Sequence, residues 1–175
     1  IIYALAQSIA IDFFNDYNEL DFLVIDGNHD LSEKGENAVS ALRGLTAPDN
    51  VVLISQYLAE YWEFPKEPIA FVPYSSKMFD HIKNNSCKYL ISHFGLNEAT
   101  LNSGASIVSD LSINDLIGKY KYVLLGHYHK PQEIIRDDIN LYYVGSPIQI
   151  DWGEKHEEKR FLVVDTDTDQ IQSVP

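Results

Sequence analysis

Basic residues are scarce in this chain: 13 Lys and Arg stand against 26 Asp and Glu, for a formal net charge of -13 over 175 residues. Gripping a polyanion by bulk charge needs clustered cations, so the imbalance excludes that mode of binding. Any phosphate ligand must draw its positive charge from bound ions or from a partner. Cysteine is nearly absent as well. Cys87 stands alone, which removes the disulfide-stapled secreted class and fits a reducing, cytoplasmic setting. No apolar run approaches the ~18 residues that span a bilayer, and no targeting segment is visible, so no membrane partner is expected. Repeats and low-complexity linkers are missing too. Methionine occurs once, at Met78, and the chain opens Ile1-Ile2-Tyr3. The natural start of translation is therefore expected to lie outside this sequence.

What is present is apolar enough to fold. Hydrophobic residues make up 45% of the chain, and a chain of this length forms one domain, here 1–175, burying about two thirds of its unfolded surface. Ile2, Leu5, Ala6, Ile9, Ala10 and Phe13 recur at three- and four-residue spacing, the period of a buried amphipathic helix ending near Asn15 to Asn18. Short apolar runs at Phe22–Ile25, Val51–Ile54, Ile69–Val72, Tyr89–Ile91 and Tyr122–Leu125 read as strands. Helices are expected over Lys34–Arg43, stopped by Gly44, over Ser76–Asn84, and over Leu111–Ile117 with Ser112 or Asp110 as cap. From Glu133 the texture changes. Glu133–Arg136, Leu141–Val144, Arg160–Val164 and Gln170–Val174 are strands separated by turn residues, and the charged stretch 153–160 reads as a solvated loop. Alternation first and hairpins afterwards predict a layered α/β fold with mixed sheets flanked by helices.

Three of these strands run into histidine-bearing loops. FLVID leads to Gly27-Asn28-His29-Asp30, KYLIS to His93, and KYVLLG to His127-Tyr128-His129. In open α/β sheets, loops at the carboxyl ends of parallel strands meet at one crevice, so these groups converge although they are up to a hundred residues apart. One histidine after a strand is more often a hydrogen-bonded loop residue than a ligand. Four of six at three strand ends is not what that reading predicts. His81, on a helix, and His156, in the charged loop, are expected to face solvent. Asp26 marks a strand end, and Gly145-Ser146-Pro147 is either an ordinary turn or a lining of the cleft. Neutral imidazoles with an amide oxygen favour Mn²⁺, Fe²⁺ or Zn²⁺ over Ca²⁺. A pair of such ions activates water at neutral pH and clamps phosphate oxygens during in-line displacement.

The ordered set GNHD at 27–30, a strand-end His93 and GHYH at 126–129 resembles the motifs of the calcineurin-like metallophosphoesterases. The tail YYVGSPIQIDWGE at 142–154 and the closing strands narrow the resemblance to the SbcD-type nucleases of DNA double-strand-break repair and their phage relatives. It covers nearly the whole chain from Phe22. It implies the layered metallophosphoesterase fold and two divalent ions, Mn²⁺ first, with Fe²⁺, Zn²⁺ or Mg²⁺ as alternatives. Asn28, His93 and His127 would hold one ion and His129 the other. His29 would be the catalytic histidine, stabilising the scissile phosphate and protonating the leaving oxygen, with Asp30 orienting its ring. The resemblance also implies DNA as substrate, an SMC-like ATPase as partner subunit, and a cytoplasmic location, or the host cytoplasm for a phage protein.

The departure from the family pattern is at its beginning. The opening Asp-x-His and Gly-Asp-x-x-Asp, which supply the remaining ligands and the bridging carboxylate, do not occur. The first strand is therefore expected to be missing, the metal sites incomplete and the activity of this fragment weak or absent. An open sheet edge left by that strand makes a homodimer one way to cover it. Two other functions compete: a phosphodiesterase or phosphatase for small substrates, and a protein-binding module that has lost catalysis. The GSPIQIDWGE tail argues against the first and the intact strand-end histidines against the second.

Overall fold

A computed structural model describes residues 2–33, 35, 37–55, 60–63, 67–106 and 108–175. Its centre is a six-stranded mixed sheet in the order β3-β4-β5-β6-β8-β7, where β3 is Glu60–Glu63, β4 Pro68–Val72, β5 Tyr89–His93, β6 Tyr122–Gly126, β7 Gln132–Arg136 and β8 Ile139–Tyr143. Strands β4, β5, β6 and β8 run parallel, and β3 and β7 are antiparallel edges. Near-continuous apolar sequences such as YLISH and YVLLG suit strands covered on both faces. Strand β3 falls outside every expected element, since its sequence EYWE has charged ends and no alternation long enough to read.

Both faces are covered. On one lie α2 (Met78–Asn84) and the irregular segment after β5, around a core that includes Ile82, Leu90, Phe94, Leu111, Val123 and Leu141. Each large side chain of this kind contributes about 2 kcal/mol by leaving water. On the other face Ile54, Ile69, Phe71, Tyr89 and Tyr122 form a second cluster. Leu23 and Ile25 of β1 (Phe22–Ile25) pack on it, as do Val164 of β9 (Phe161–Asp165) and Ile171 of β10 (Gln170–Val174). Strand β1 pairs in parallel with β2 (Val51–Ile54), and β9 with β10 as a hairpin. The hairpin is pinned at its turn: Asp169 accepts the Tyr89 hydroxyl at 2.6 Å and pairs with Lys88 at 2.8 Å and Lys121 at 3.3 Å. The result is a mixed α/β layering, as the order of elements requires.

Three helices depart from expectation. Helix α1 spans Ile2–Asp16, and Asn50 closes its end by donating from Nδ2 to the carbonyls of Phe14, Tyr17 and Leu20, the last turn of a helix being short of intrahelical partners. Its apolar stripe is not buried: Leu5 is 62% and Ile9 61% exposed. Periodicity fixes the helix, whereas burial depends on what lies opposite: Phe13 and Phe14 meet Phe22 of β1, while Leu5 and Ile9 stay open. The helix expected from Lys34 lies partly outside the described residues. Where it can be followed it is a 3-10 helix, Ala41–Thr46, because Ser40 turns its hydroxyl to accept from Leu42 N and so starts the coil late. Gly44 consequently sits inside the coil and is not its stop. The expected helix at 111–117 contracts to the 3-10 turn Ile113–Asp115, with Ser112 as cap in a reciprocal capping box with Asp115. Among the described residues no helix is long and apolar enough to cross a membrane.

Candidate functional site

Strand β1 delivers the first loop. Asp26, fully buried, accepts the Ser40 hydroxyl at 2.5 Å, and its carbonyl accepts from Tyr74 N, so the strand end is anchored on two sides. Asp30 Oδ2 accepts from Gly27 N at 2.8 Å while Asp30 N donates to Gly27 O. This tight turn projects Asn28 and His29 from its tip. The bond seen for Asp30 is thus to its own loop backbone, which shapes the turn that presents His29.

Strand β5 delivers His93 as its last residue, in register with Gly126 at the end of β6. His93 Nε2 lies 2.9 Å from Asn28 Oδ1, so the first and second strand ends do meet. Two glycines make the room. A Cβ at Gly27 would stand 2.8 Å from His93 Cε1, and one at Gly126 would stand 2.7 Å from His93 Nδ1; both are closer than real carbons approach. Beyond Gly126 the chain turns sharply, with His127 at φ 98°. A β-carbon at positive φ costs on the order of 1 kcal/mol or more and needs surrounding structure to hold it. The turn sets the His127 ring 5.3 Å from that of His93, at an interplanar angle of 75°.

The electrostatics follow from this crowding. Burial, aided by repulsion from His127 and His29, lowers the His93 pKa to about 4. Burial, with repulsion from His29 and His129, lowers that of His127 as well. Both rings are therefore neutral at physiological pH and need lose no proton to coordinate a cation. The 2.9 Å between Asn28 Oδ1 and His93 Nε2 is a hydrogen-bond length, a contact these two donors would exchange for a shared cation. The donor set fits a first-row divalent ion in part: among the described residues no group of three His, Cys, Asp or Glu side chains is placed to hold one. Among the described residues the cluster consists of neutral donors, with no three-residue group that includes a carboxylate.

His127 and Tyr128 line two clefts. One, of about 490 Å³, is also bounded by Asn28, Tyr74, Phe94 and Asp110; the other, of about 340 Å³, by Asn102, His129 and Asp151. His29 is exposed beside the rings. His129 belongs to the second cleft, and its Nδ1 is 3.0 Å from Glu154 Oε1. His156 is exposed as expected, whereas His81 on α2 is half-buried and not wholly solvated. Gly145-Ser146-Pro147 packs against this last loop: Gly145 has φ 90°, a Cβ there would meet His129 O at 2.9 Å, and Ser146 N donates to the same carbonyl.

The residues that sequence reasoning missed are in the stretch read as a solvated loop. Glu154 is fully buried, and Lys159 pairs with it at 2.8 Å. Lys159, the Ile150 amide and His129 hold the Glu154 pKa down to about 2. Nothing in GEKHEEKR separates Glu154 from the other acids there, because its burial comes from the 3-10 turn Trp152–Glu154 and from the GSP segment folding over it.

What the fold and the strand ends define is an α/β protein with an Asn–His cluster at the carboxyl edge of its sheets. No protein-family model matches the chain. Over 155 residues it is 27% identical to exonuclease subunit 1 of Enterobacteria phage T4, an alignment that covers 85% of this chain and 43% of that protein. The chain thus spans less than half the length of that relative.

Proposed function

We propose that the chain carries half of the active site of a metal-dependent nuclease that hydrolyses DNA phosphodiester bonds. The single observation that carries this reading is the meeting of Asn28 Oδ1 and His93 Nε2 at 2.9 Å beside the His127 ring. The likeness to a phage exonuclease subunit supports it, as does the layered α/β fold. Asn28, His93 and His127 hold one divalent ion, Mn²⁺ by preference, and His129 contributes to a second; carboxylates from outside these residues complete the sites and offset the ionic charge. Bound ions of this kind lower the pKa of water and neutralise phosphate oxygens. His29, exposed at the rim, hydrogen-bonds the scissile phosphate and gives its proton to the leaving oxygen. With a chain charge of -13, the DNA is held by ions and by partner subunits more than by this surface. An SMC-like ATPase is the partner that the resemblance implies, in the cytoplasm or, for a phage protein, that of its host.

The test is cleavage of linear duplex DNA by the full-length protein with Mn²⁺, with chelator, and with His93→Ala. Cleavage that requires Mn²⁺ and falls by about two orders of magnitude in the variant is expected. Absence of cleavage with Mn²⁺, or equal cleavage by the variant, overturns the reading.

A further inference from the structure

Glu154 is a carboxylate with no exposed surface, seated under a loop that bears a candidate ligand. A buried charge needs an explanation, because desolvating it without partners costs several kcal/mol. Its partners supply one. Oε2 accepts from Ile150 N at 3.0 Å, from Ser146 Oγ at 3.3 Å and from Lys159 Nζ at 2.8 Å. Among the described residues Oε1 faces His129, whose Nδ1 is 3.0 Å away. Lys159 Nζ also donates to the His129 backbone carbonyl at 3.1 Å, and Ser146 N donates to that same carbonyl at 3.0 Å. The ring and the main chain of His129 are therefore gripped together by one ion pair and the GSP segment.

The chemistry of this contact is directional. An ionised carboxylate only accepts hydrogen bonds, so it selects the His129 tautomer in which Nδ1 carries the hydrogen and Nε2 keeps its lone pair. With Nδ1 engaged, Nε2 is the nitrogen left for the cleft that His129 lines with His127 and Asp151. We propose that Glu154, anchored by Lys159, is a positioning residue that fixes the tautomer and orientation of His129 so that Nε2 is presented as a cation ligand. The inference rests on the nuclease reading for the identity of the cation, and on geometry alone for the tautomer. Trp152, two residues before, is 91% exposed, so the turn faces solvent with its indole and the protein interior with its carboxylate; the glutamate is the part that the fold retains.

Two measurements on the full-length protein test it. Ring ¹⁵N shifts of His129 in the metal-free wild type are expected to show the Nδ1–H tautomer; an Nε2–H tautomer overturns the proposal, whatever the behaviour of any variant. Mn²⁺ binding, followed by the paramagnetic resonance of the free ion, is expected to weaken about 10- to 100-fold for the site containing His129 in Glu154→Gln, with the circular dichroism spectrum unchanged. If the wild type binds Mn²⁺ and Glu154→Gln binds it equally well, the positioning role fails and the nuclease reading stands. If the wild type takes up no Mn²⁺, the nuclease reading fails and the metal part of this inference fails with it, while the tautomer measurement still decides the rest. Should Glu154→Gln not fold, Lys159→Gln, which leaves the carboxylate and the ring in place but loosens their anchor, is expected to broaden the His129 tautomer population, and an unchanged population overturns the proposal.

Discussion

Asn28 and His93 stand 65 positions apart in sequence, and their donor atoms are 2.9 Å apart. The contact exists because β5 ends at His93 itself and because glycines on both flanks leave the imidazole its space. Gly27 and Gly126 would each drive a β-carbon into the His93 ring.

Gly126→Ala is accordingly expected to tilt His93 out of reach of Asn28. Overpacking of this kind costs about 1–3 kcal/mol, visible as a lowered urea midpoint, but the larger effect is on the cluster. Mn²⁺ affinity measured by calorimetry on the full-length protein should fall more than stability alone accounts for. An alanine variant with unchanged affinity would show that the ring finds another way in.

A pH dependence follows from the buried rings. The His93 pKa falls from the ordinary value of about 6.5 to about 4 on folding, by burial first and then by repulsion from His127 and His29. Between these values the unfolded chain binds more protons than the folded one, so stability must rise with pH. The contribution is complete above pH ~6.5, is lost as pH falls towards about 4, and is flat below that. His127, shifted the same way, adds to it. Urea unfolding of metal-free protein at pH 4.5 and 7.5 should show the drop, and His93→Gln, neutral throughout, should reduce it.

If His29 is a general acid, its importance depends on the leaving group. His29→Ala is expected to slow hydrolysis of a DNA phosphodiester by about 10²- to 10⁴-fold. On a p-nitrophenyl phosphodiester of thymidine, whose departing phenolate needs no proton, the deficit should nearly vanish. A deficit of equal size on both substrates would assign His29 to phosphate binding only.

Asp169 gives a control remote from the histidine cluster. Its pKa is held down to about 2 by the hydrogen bonds from Lys88 and Tyr89, and it ties the turn of the last hairpin to β5 and β6. Asp169→Ala should lower amide-exchange protection across β9 and β10 and leave that of β5 and β6 almost unchanged. The Asn28–His93 cluster and its Mn²⁺ affinity should be preserved. Loss of protection throughout the central sheet would mean that the hairpin is part of its cooperative unit.

The strands that end in the Asn–His cluster were legible because their signal is local. YLISH and YVLLG are apolar runs long enough to be buried on both faces, and each ends in the residue or glycine that begins a loop. The same holds for the polar group following FLVI. The period of α1 was equally plain, since it needs only the chain itself. β3 was not, because EYWE becomes a strand by pairing with β4, a decision made by the neighbour.

By itself, then, the sequence determined the order of the strands that end in polar loops, the three strand ends that bear Asn28, His93, His127 and His129, and the acidic balance that leaves phosphate charge to ions or partners. Only the tertiary structure decided that the α1 stripe stays open to solvent, that His127 takes a positive φ, and that one acid among several in 153–160 is buried against His129. Burial and ring orientation are properties of what lies opposite a side chain. Residues distant in sequence supply that, and no local pattern records it.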